Sequence, residues 1–316
     1  MDAAVTTPGP FHEGERYMQE RAGERAAALR NGGIVGDTIP QRAIPFLAQQ
    51  RMLAVGSGDE TGTPLASMLF GAEGLVSSPD GQSVVIDRSR IDGNVDDPMW
   101  SNLRVGAEVG LLAIELATRR RLRINGVVRE LDAHRIDVTV RQAYPNCPKY
   151  IQRRQLRDAP GAPAVEASAR ASGASLDDAR SRLIEQADTI FVASRHPTRG
   201  VDVSHRGGEP GFVRIIDARR LRIPDYRGNG MFNTLGNFAV DHRASLVFLD
   251  FDGRSLLQMT GTVDVHFDEA EDPRHPTGGS GRYWDFHVTH WLELPIAASL
   301  EWDLLDTSPY NPRAQD

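Results

Sequence analysis

From residue 55 to residue 263 the chain repeats itself. At a spacing of 137 positions Val55 meets Val192, Ser57 meets Ser194, Thr61 meets Thr198 and Ser67 meets Ser204. Gly71, Gly74, Val76 and Ile86 likewise meet Gly208, Gly211, Val213 and Ile223. The spacing then drops to 135, and Asn102, Val105, Leu111, Arg119, Leu122, Gly126 and Val128 meet Asn237, Val240, Leu246, Arg254, Leu257, Gly261 and Val263. Matched apolar positions keep their phase: Leu112, Ile114 and Leu116 stand opposite Val247, Leu249 and Phe251. So long a period is a duplicated domain, since solenoid units are far shorter. The change of spacing falls in an expected loop, where insertions are tolerated. A length of 316 residues leaves each copy enough chain to bury a core of its own.

Each copy reads as short β-type runs between turn residues, several alternating apolar and polar as half-buried strands do. In the first copy these runs are 51–57, 64–70, 83–87, 108–116, 120–131 and 135–144; in the second they are 188–195, 201–206, 212–217, 220–225, 244–251, 255–267 and 282–294. Asp97-Pro98 opens a short helix, with proline in the first turn, and 230–240 is its counterpart. Antiparallel strands with one helix suggest a small closed barrel. Two such barrels in one chain would make the contact that a homodimer makes between identical chains. Outside the repeat, 13–29 reads as a solvent-exposed helix stopped by Gly32-Gly33, and 40–49 as a second short helix. Residues 157–174 have the Ala, Gly, Ser and Pro composition of a linker, after which Ser175 caps a helix. The expected organisation is therefore a helical extension over 1–44, a first barrel over 45–156, a linker over 157–174 and a second barrel over 175–316.

A net charge of −7 argues against a nucleic-acid partner. No apolar run reaches the length of a membrane span, and the N-terminus lacks the apolar stretch of a secretion signal. The single cysteine, Cys147, excludes an intramolecular disulfide and fits a reducing cytoplasm, the expected location. It reads as an inert small residue. No metal site is expected. His287 and His290 are three apart, on opposite faces of a strand, and His12-Glu13 lacks the second histidine of a zinc helix. No glycine-rich dinucleotide loop follows a strand.

The ordered set formed by Val201 to Arg206 (VDVSHR), Leu221 to Asp225 (LRIPD), a turn and short helix, Ser245 to Phe251 (SLVFLDF) and the Gly261 strand resembles the pyridoxamine 5′-phosphate oxidase-like, FMN-binding split-barrel superfamily. Asn146 to Gln152 (NCPKYIQ) looks like a segment of its large, double-barrel members. The resemblance covers roughly 45–295. It implies a mainly β fold: two tandem split β-barrels with short helices, joined as an intramolecular pseudo-dimer with FMN at their interface. Carried over, the second half supplies Ser204, His205 and Arg206 from one strand and Asp225, Tyr226, Arg227, Gly228 and Asn229 from the turn. Guanidinium forks, hydroxyls and free backbone N–H groups suit a phosphate, and Gly228 and Gly230 would let the backbone approach it closely. The first half supplies Arg119, Arg121 and Arg123, which share one face of an extended strand. Lys149 and Tyr150 either reach the flavin or belong to a strand-terminating loop.

Met68, Leu69 and Phe70 stand where the second half has His205, Arg206 and Gly207. One functional flavin site is therefore expected, its twin degenerate and filled by side chains. The implied activity is that of an FMN-dependent oxidoreductase, working on a small-molecule substrate or fed by a separate reductase, as a monomeric pseudo-dimer or a homodimer. The chain's end shows no counterpart of the name-giving enzyme's Arg- and His-containing motif, so pyridoxamine phosphate is not the expected substrate. The alternatives are a non-catalytic flavin electron carrier, a deazaflavin protein, a haem-binding split barrel with His205 or His242 as ligand, and a cofactor-free degenerate barrel.

Overall fold

The computed structural model describes residues 9–93, 96–159, 171–270, 272–296 and 299–313. The first half forms strands β1 (Met52–Gly58), β2 (Pro64–Phe70), β3 (Val76–Ser77), β4 (Ser83–Asp87), β5 (Glu108–Glu115), β6 (Arg120–Leu131) and β7 (Arg135–Pro145). After β8 (Arg153–Asp158) and β9 (Ala171–Gly173), the second half forms β10 (Thr189–His196), β11 (Gly200–Gly207), β12 (Arg214–Asp217), β13 (Arg220–Pro224), β14 (Arg243–Asp250), β15 (Ser255–His266) and β16 (Tyr283–Pro295), and the chain ends in β17 (Leu300–Asp306). The helices are α1 (Glu13–Arg21), α2 (Arg25–Gly32), α3 (Ile44–Ala48), α4 (Met99–Asn102), α5 (Asp178–Gln186) and α6 (Asn233–Phe238).

The fold is mainly β with short helices. The first large sheet runs β2-β1-β5-β6-β7-β4-β3 and the second β11-β10-β14-β15-β16-β13-β12, the same order strand for strand. The repeat also survives in side chains: Asn102 Nδ2 donates to Ser57 Oγ at 3.0 Å, and Asn237 Nδ2 to Ser194 Oγ at 2.9 Å. Neither sheet closes into the ring expected of a small barrel. The end strand β3 has two residues, and β2 turns Met68 and Phe70 toward the other half instead of pairing with it.

The central strands are buried on both faces, not on one. In β1, Leu53 and Val55 enter a core private to the first half, while Met52 and Ala54 enter a core shared with the second. In β10, Ile190 and Val192 enter the second half's own core, and Phe191 and Ala193 the shared one. The period of two thus survives, but it sorts apolar residues between two cores. At the join, Gly110 of β5 meets the backbone of β11: a Cβ there would lie 2.8 Å from the Val201 carbonyl oxygen. A side chain at 110 would push the sheets apart.

Three sequence expectations need correction. The span 13–29 is two helices broken at Gly23 (φ 67°), and α1 is not solvent-exposed: Gly14, Glu15, Met18 and Gln19 are buried. Its Gly14 crosses Gly236 of α6 so closely that a Cβ would lie 2.1 Å from the Gly236 carbonyl oxygen. The helix expected to be capped by Ser175 is capped by Asp177. The ends of the expected linker are strands, with β8 pairing β17 and β9 pairing β16; its stretch 160–170 lies outside the described residues. No helix among the described residues is long and apolar enough to cross a membrane.

Burial gives Glu15 an unusual titration. Its carboxyl caps α1 by accepting from the His12 backbone N–H at 2.8 Å, and it also accepts from Asn233. Burial pushes its pKa up to about 7, against the hydrogen bonds from His12 and Asn233, with Asp202 adding repulsion. A carboxyl whose folded pKa is raised carries no penalty below its unfolded value. The penalty grows as pH rises from about 4.5 toward 7 and stays constant above. Glu15→Gln keeps the capping geometry and removes the charge. It is expected to raise stability at pH 8 by on the order of 2–3 kcal/mol relative to pH 4.5. Urea unfolding of both proteins at the two pH values checks this; an unchanged difference would show that Glu15 titrates normally.

Candidate functional site

A pocket opens where β11 of the second half faces β6 of the first. The turn after β13, the start of α6, the loop 146–150 and Glu24, between α1 and α2, complete its walls. Of the residues singled out in the sequence, Arg121, Arg123, Lys149, Tyr150, Ser204, His205, Arg206, Asp225, Tyr226, Gly228 and Asn229 line it together. Arg119 and Arg227 do not.

Arg119 sits in the left-handed region (φ 55°) at the end of a 3-10 turn, one residue before β6, so it does not share the face of Arg121 and Arg123. Its guanidinium ties down the C-terminal strand through the Ile151 carbonyl at 2.8 Å, the Thr307 carbonyl at 3.0 Å and Asp306. Arg227 bonds the Gly279 carbonyl at 2.8 Å, and its own carbonyl accepts from the Tyr150 hydroxyl at 2.9 Å.

The two arginines left on β6 have different surroundings. Arg123 is buried and spends both terminal nitrogens within the protein, while its Nε has no hydrogen-bond partner. Nη1 reaches Tyr144 Oη, Asp202 Oδ2 and Asn233 Oδ1, each at 3.1 Å, and Nη2 donates to Ser204 Oγ. Arg121 is half-buried and has no carboxylate within ion-pair reach among the described residues. Its Nε donates to the Cys147 carbonyl at 2.8 Å, and Nη1 lies 3.4 Å from His205 Nδ1. Burial, then the charges of Arg123 and Arg206, bring its pKa down to about 9.

On β11, Arg206 Nη1 donates to Asp225 Oδ1 at 2.8 Å, while Asp225 Oδ2 accepts from Arg282 Nε at 3.0 Å. Asp225 therefore bridges two guanidiniums and holds both against the pocket. Ser204 Oγ pairs with Thr234 Oγ1 at 2.8 Å. His205 is buried, and burial followed by Arg121 and Arg206 drives its pKa well below the ordinary imidazole value, so it is neutral. His205 Nε2 and Arg206 Nε are buried without a hydrogen-bond partner. Tyr150, in the left-handed region (φ 66°), packs 5.0 Å from the Tyr226 ring, and burial, Cys147 and Asp225 raise its hydroxyl to about 12. The Lys149 ammonium lies 5.2 Å from the Tyr310 ring centroid. At Gly228 an added Cβ would meet nothing within 4 Å, so the protein's own packing does not demand glycine there; Gly230 has φ 72° and does. His242 spends Nδ1 on the Val263 carbonyl and is not among the pocket's lining residues.

Sequence reasoning missed Glu24, Arg282, Asn233 and Thr234, all on the pocket wall. Arg282 follows the run Gly278-Gly279-Ser280-Gly281, a turn signal that announced a strand start but no role.

The matching position in the first half is filled. Phe70, Leu116, Leu256, Leu294, Ile296 and Trp302 form one apolar cluster there, with Trp302 edge-on to Phe70 at 5.6 Å. Gln258 stands where the other half has Arg123, donating to Ser67 Oγ at 2.9 Å and Asp97 Oδ2 at 2.7 Å.

His12, Glu13 and His196 also converge, with ligand atoms within 4.8 Å of one another. Position in space thus supplies the second histidine that the sequence spacing lacked. Both imidazoles accept a backbone N–H on Nδ1, from Gly14 and Thr198 at 3.2 Å each. Their Nε2 atoms then carry the proton and face Asn237 Oδ1 at 3.1 Å and Glu13 Oε1 at 2.9 Å. A metal would need those Nε2 atoms bare, so the arrangement is a hydrogen-bond network fastening α1 to β10 and α6.

No family model matches the sequence, and no curated protein matches it. Solved structures resemble parts of it. One is a putative pyridoxamine 5′-phosphate oxidase from Lactobacillus delbrueckii, 14% identical, covering 38% of this chain and 94% of that one at a TM-score of 0.30. Another is a HupZ variant from Group A Streptococcus, 12% identical, with coverage of 37% and 98% and a TM-score of 0.30. An F420 reductase is 15% identical, with coverage of 34% and 98% and a TM-score of 0.23. These likenesses say nothing about the chemistry of the pocket.

Proposed function

We propose that the pocket seats the phosphate of FMN, or of a closely related flavin, and that the chain is a flavin-dependent oxidoreductase with one such site. The observation that carries this is Arg121: a guanidinium without a carboxylate partner, beside Arg206 and neutral His205, in a pocket whose other arginines are ion-paired. Such a site gains from an anion with several acceptor oxygens. The orphaned His205 Nε2 and Arg206 Nε and the open space beside Gly228 fit the same group.

The residues divide the work as follows. Arg121 and Arg206 receive the anion, and Asp225 aims Arg206 and Arg282 at it. Arg123 is committed to Asp202, Tyr144, Asn233 and Ser204, so of the two β6 arginines Arg121 is the one without a carboxylate of its own. Neutral His205 offers a hydrogen bond without adding charge. A bound flavin supplies the hydride and electron chemistry; orienting and desolvating it falls to the protein. An adjoining hollow shares Phe212, Pro224 and Tyr226 with the pocket and gives a second reactant an approach. That reactant is a small molecule or a separate reductase, and turnover with reduced nicotinamide alone separates the two.

The visible spectrum of the purified protein, with chromatography of the released cofactor, tests the reading. One flavin per chain is expected. Two per chain would remove the single-site asymmetry, and a protein that stays colourless after incubation with FMN would overturn the function.

A further inference from the structure

The N-terminal helices deliver a carboxylate into the pocket and hold it there. Glu24 lies on the turn between α1 and α2, just after Gly23, and lines the pocket. Its segment is anchored on both sides. Gln19 Nε2 donates to the Met231 carbonyl at 3.1 Å, and Asn31 Nδ2 to the Asn229 carbonyl at 2.6 Å. Both acceptors belong to the turn that walls the pocket, so Glu24 is fixed relative to it. Glu24 Oε1 accepts from Arg282 Nη1 at 3.0 Å, and Arg282 is the guanidinium that shares Asp225 with Arg206.

The charge balance shows what this carboxylate does. Arg121, Arg123, Arg206, Arg282 and Lys149 line the pocket; Asp225 and Glu24 line it too, and Asp202 pairs with Arg123 from behind. Five cations against three carboxylates leave an excess of two positive charges. A phosphomonoester carries about −1.5 to −2 near neutral pH and matches that excess. A terminal pyrophosphate group carries at least one charge more and would leave negative charge uncompensated beside Glu24. Space points the same way: at Gly230 a Cβ would lie 3.3 Å from Glu24 Oε2 and 3.5 Å from Ala27 Cβ, so α2 closes that wall.

We propose that Glu24 is a specificity-determining residue, matching the pocket to ligands that end in a single phosphate and rejecting those that end in a pyrophosphate. This rests on the anion-site reading above. The flavin-free full-length chain is titrated by calorimetry with inorganic phosphate and with pyrophosphate, at one pH and one ionic strength. Glu24→Gln is expected to raise pyrophosphate affinity relative to phosphate by roughly three- to tenfold, the effect of removing one nearby charge in a partly solvated site. Glu24→Asp keeps the charge and is expected to keep the wild-type ratio. A wild-type chain that binds the anions while Glu24→Gln leaves the ratio unchanged, or lowers it, would overturn the role of Glu24 and spare the site. A wild-type chain that binds neither anion would overturn the anion seat and this inference with it.

Discussion

Arg123→Ala is expected to cost about 3–5 kcal/mol of stability, the usual consequence of stripping one partner from a buried ion pair. Arg123 comes from β6 of one half and Asp202 from β11 of the other, and both are buried. Burial pushes the Asp202 carboxyl up, and Arg123 is the first of the charges that oppose it. Alanine would leave that carboxylate in the joint between the sheets, with Ser204 and Asn233 deprived of the same donor. Urea unfolding measures the loss. Adding Asp202→Asn to the variant is expected to recover part of it, because the stranded charge is gone and the two sites are coupled. A single variant within about 1 kcal/mol of wild type would mean that the pair does not hold the halves together.

Arg121→Met is expected to have the opposite signature. A charge-assisted hydrogen bond to a ligand is worth about 1.5–3 kcal/mol, so FMN affinity falls roughly ten- to hundredfold. The unfolding midpoint of the flavin-free protein stays level or rises, because the substitution removes a cation whose burial and cationic neighbours, Arg123 and Arg206, disfavour it. Flavin fluorescence titration and a melt of the same preparation give both numbers. Equal affinity would remove Arg121 from the site, and a large fall in stability would make it a structural residue.

The sheets were legible in the sequence because β pairing imposes a period of two and duplication imposed it twice. Pairs such as Val55 with Val192 and Leu111 with Leu246 sit at matching places in the two sheets. Most of the pocket was legible through its order along the chain: Ser204, His205 and Arg206, then the turn from Asp225, then Arg121 and Arg123. What escaped depends on single dihedrals or on docking between distant segments. Arg119 looked like a third member of the arginine face until its left-handed backbone turned it toward the C-terminal strand. Glu24 sits in a helical stretch whose charge reads as solvent-facing, and its burial against Arg282 depends on the Gly14–Gly236 crossing, more than two hundred residues apart in sequence. Nothing in the pattern around Trp302 announced that β17 would fold back and plug the twin cavity.

Beside that plug, matched positions obey opposite rules. Position 69 lies in an apolar core and position 206 on a pocket wall, although the repeat makes them the same residue of the same strand. A library of substitutions scanned across both would show the two halves tolerating the same changes along β1 and β10. At the far ends of β2 and β11 the tolerated sets would invert, with charge forbidden in one copy and required in the other. An alignment of one half against the other would therefore understate their kinship at the pocket residues, because there one copy lines a cavity and the other is committed to packing.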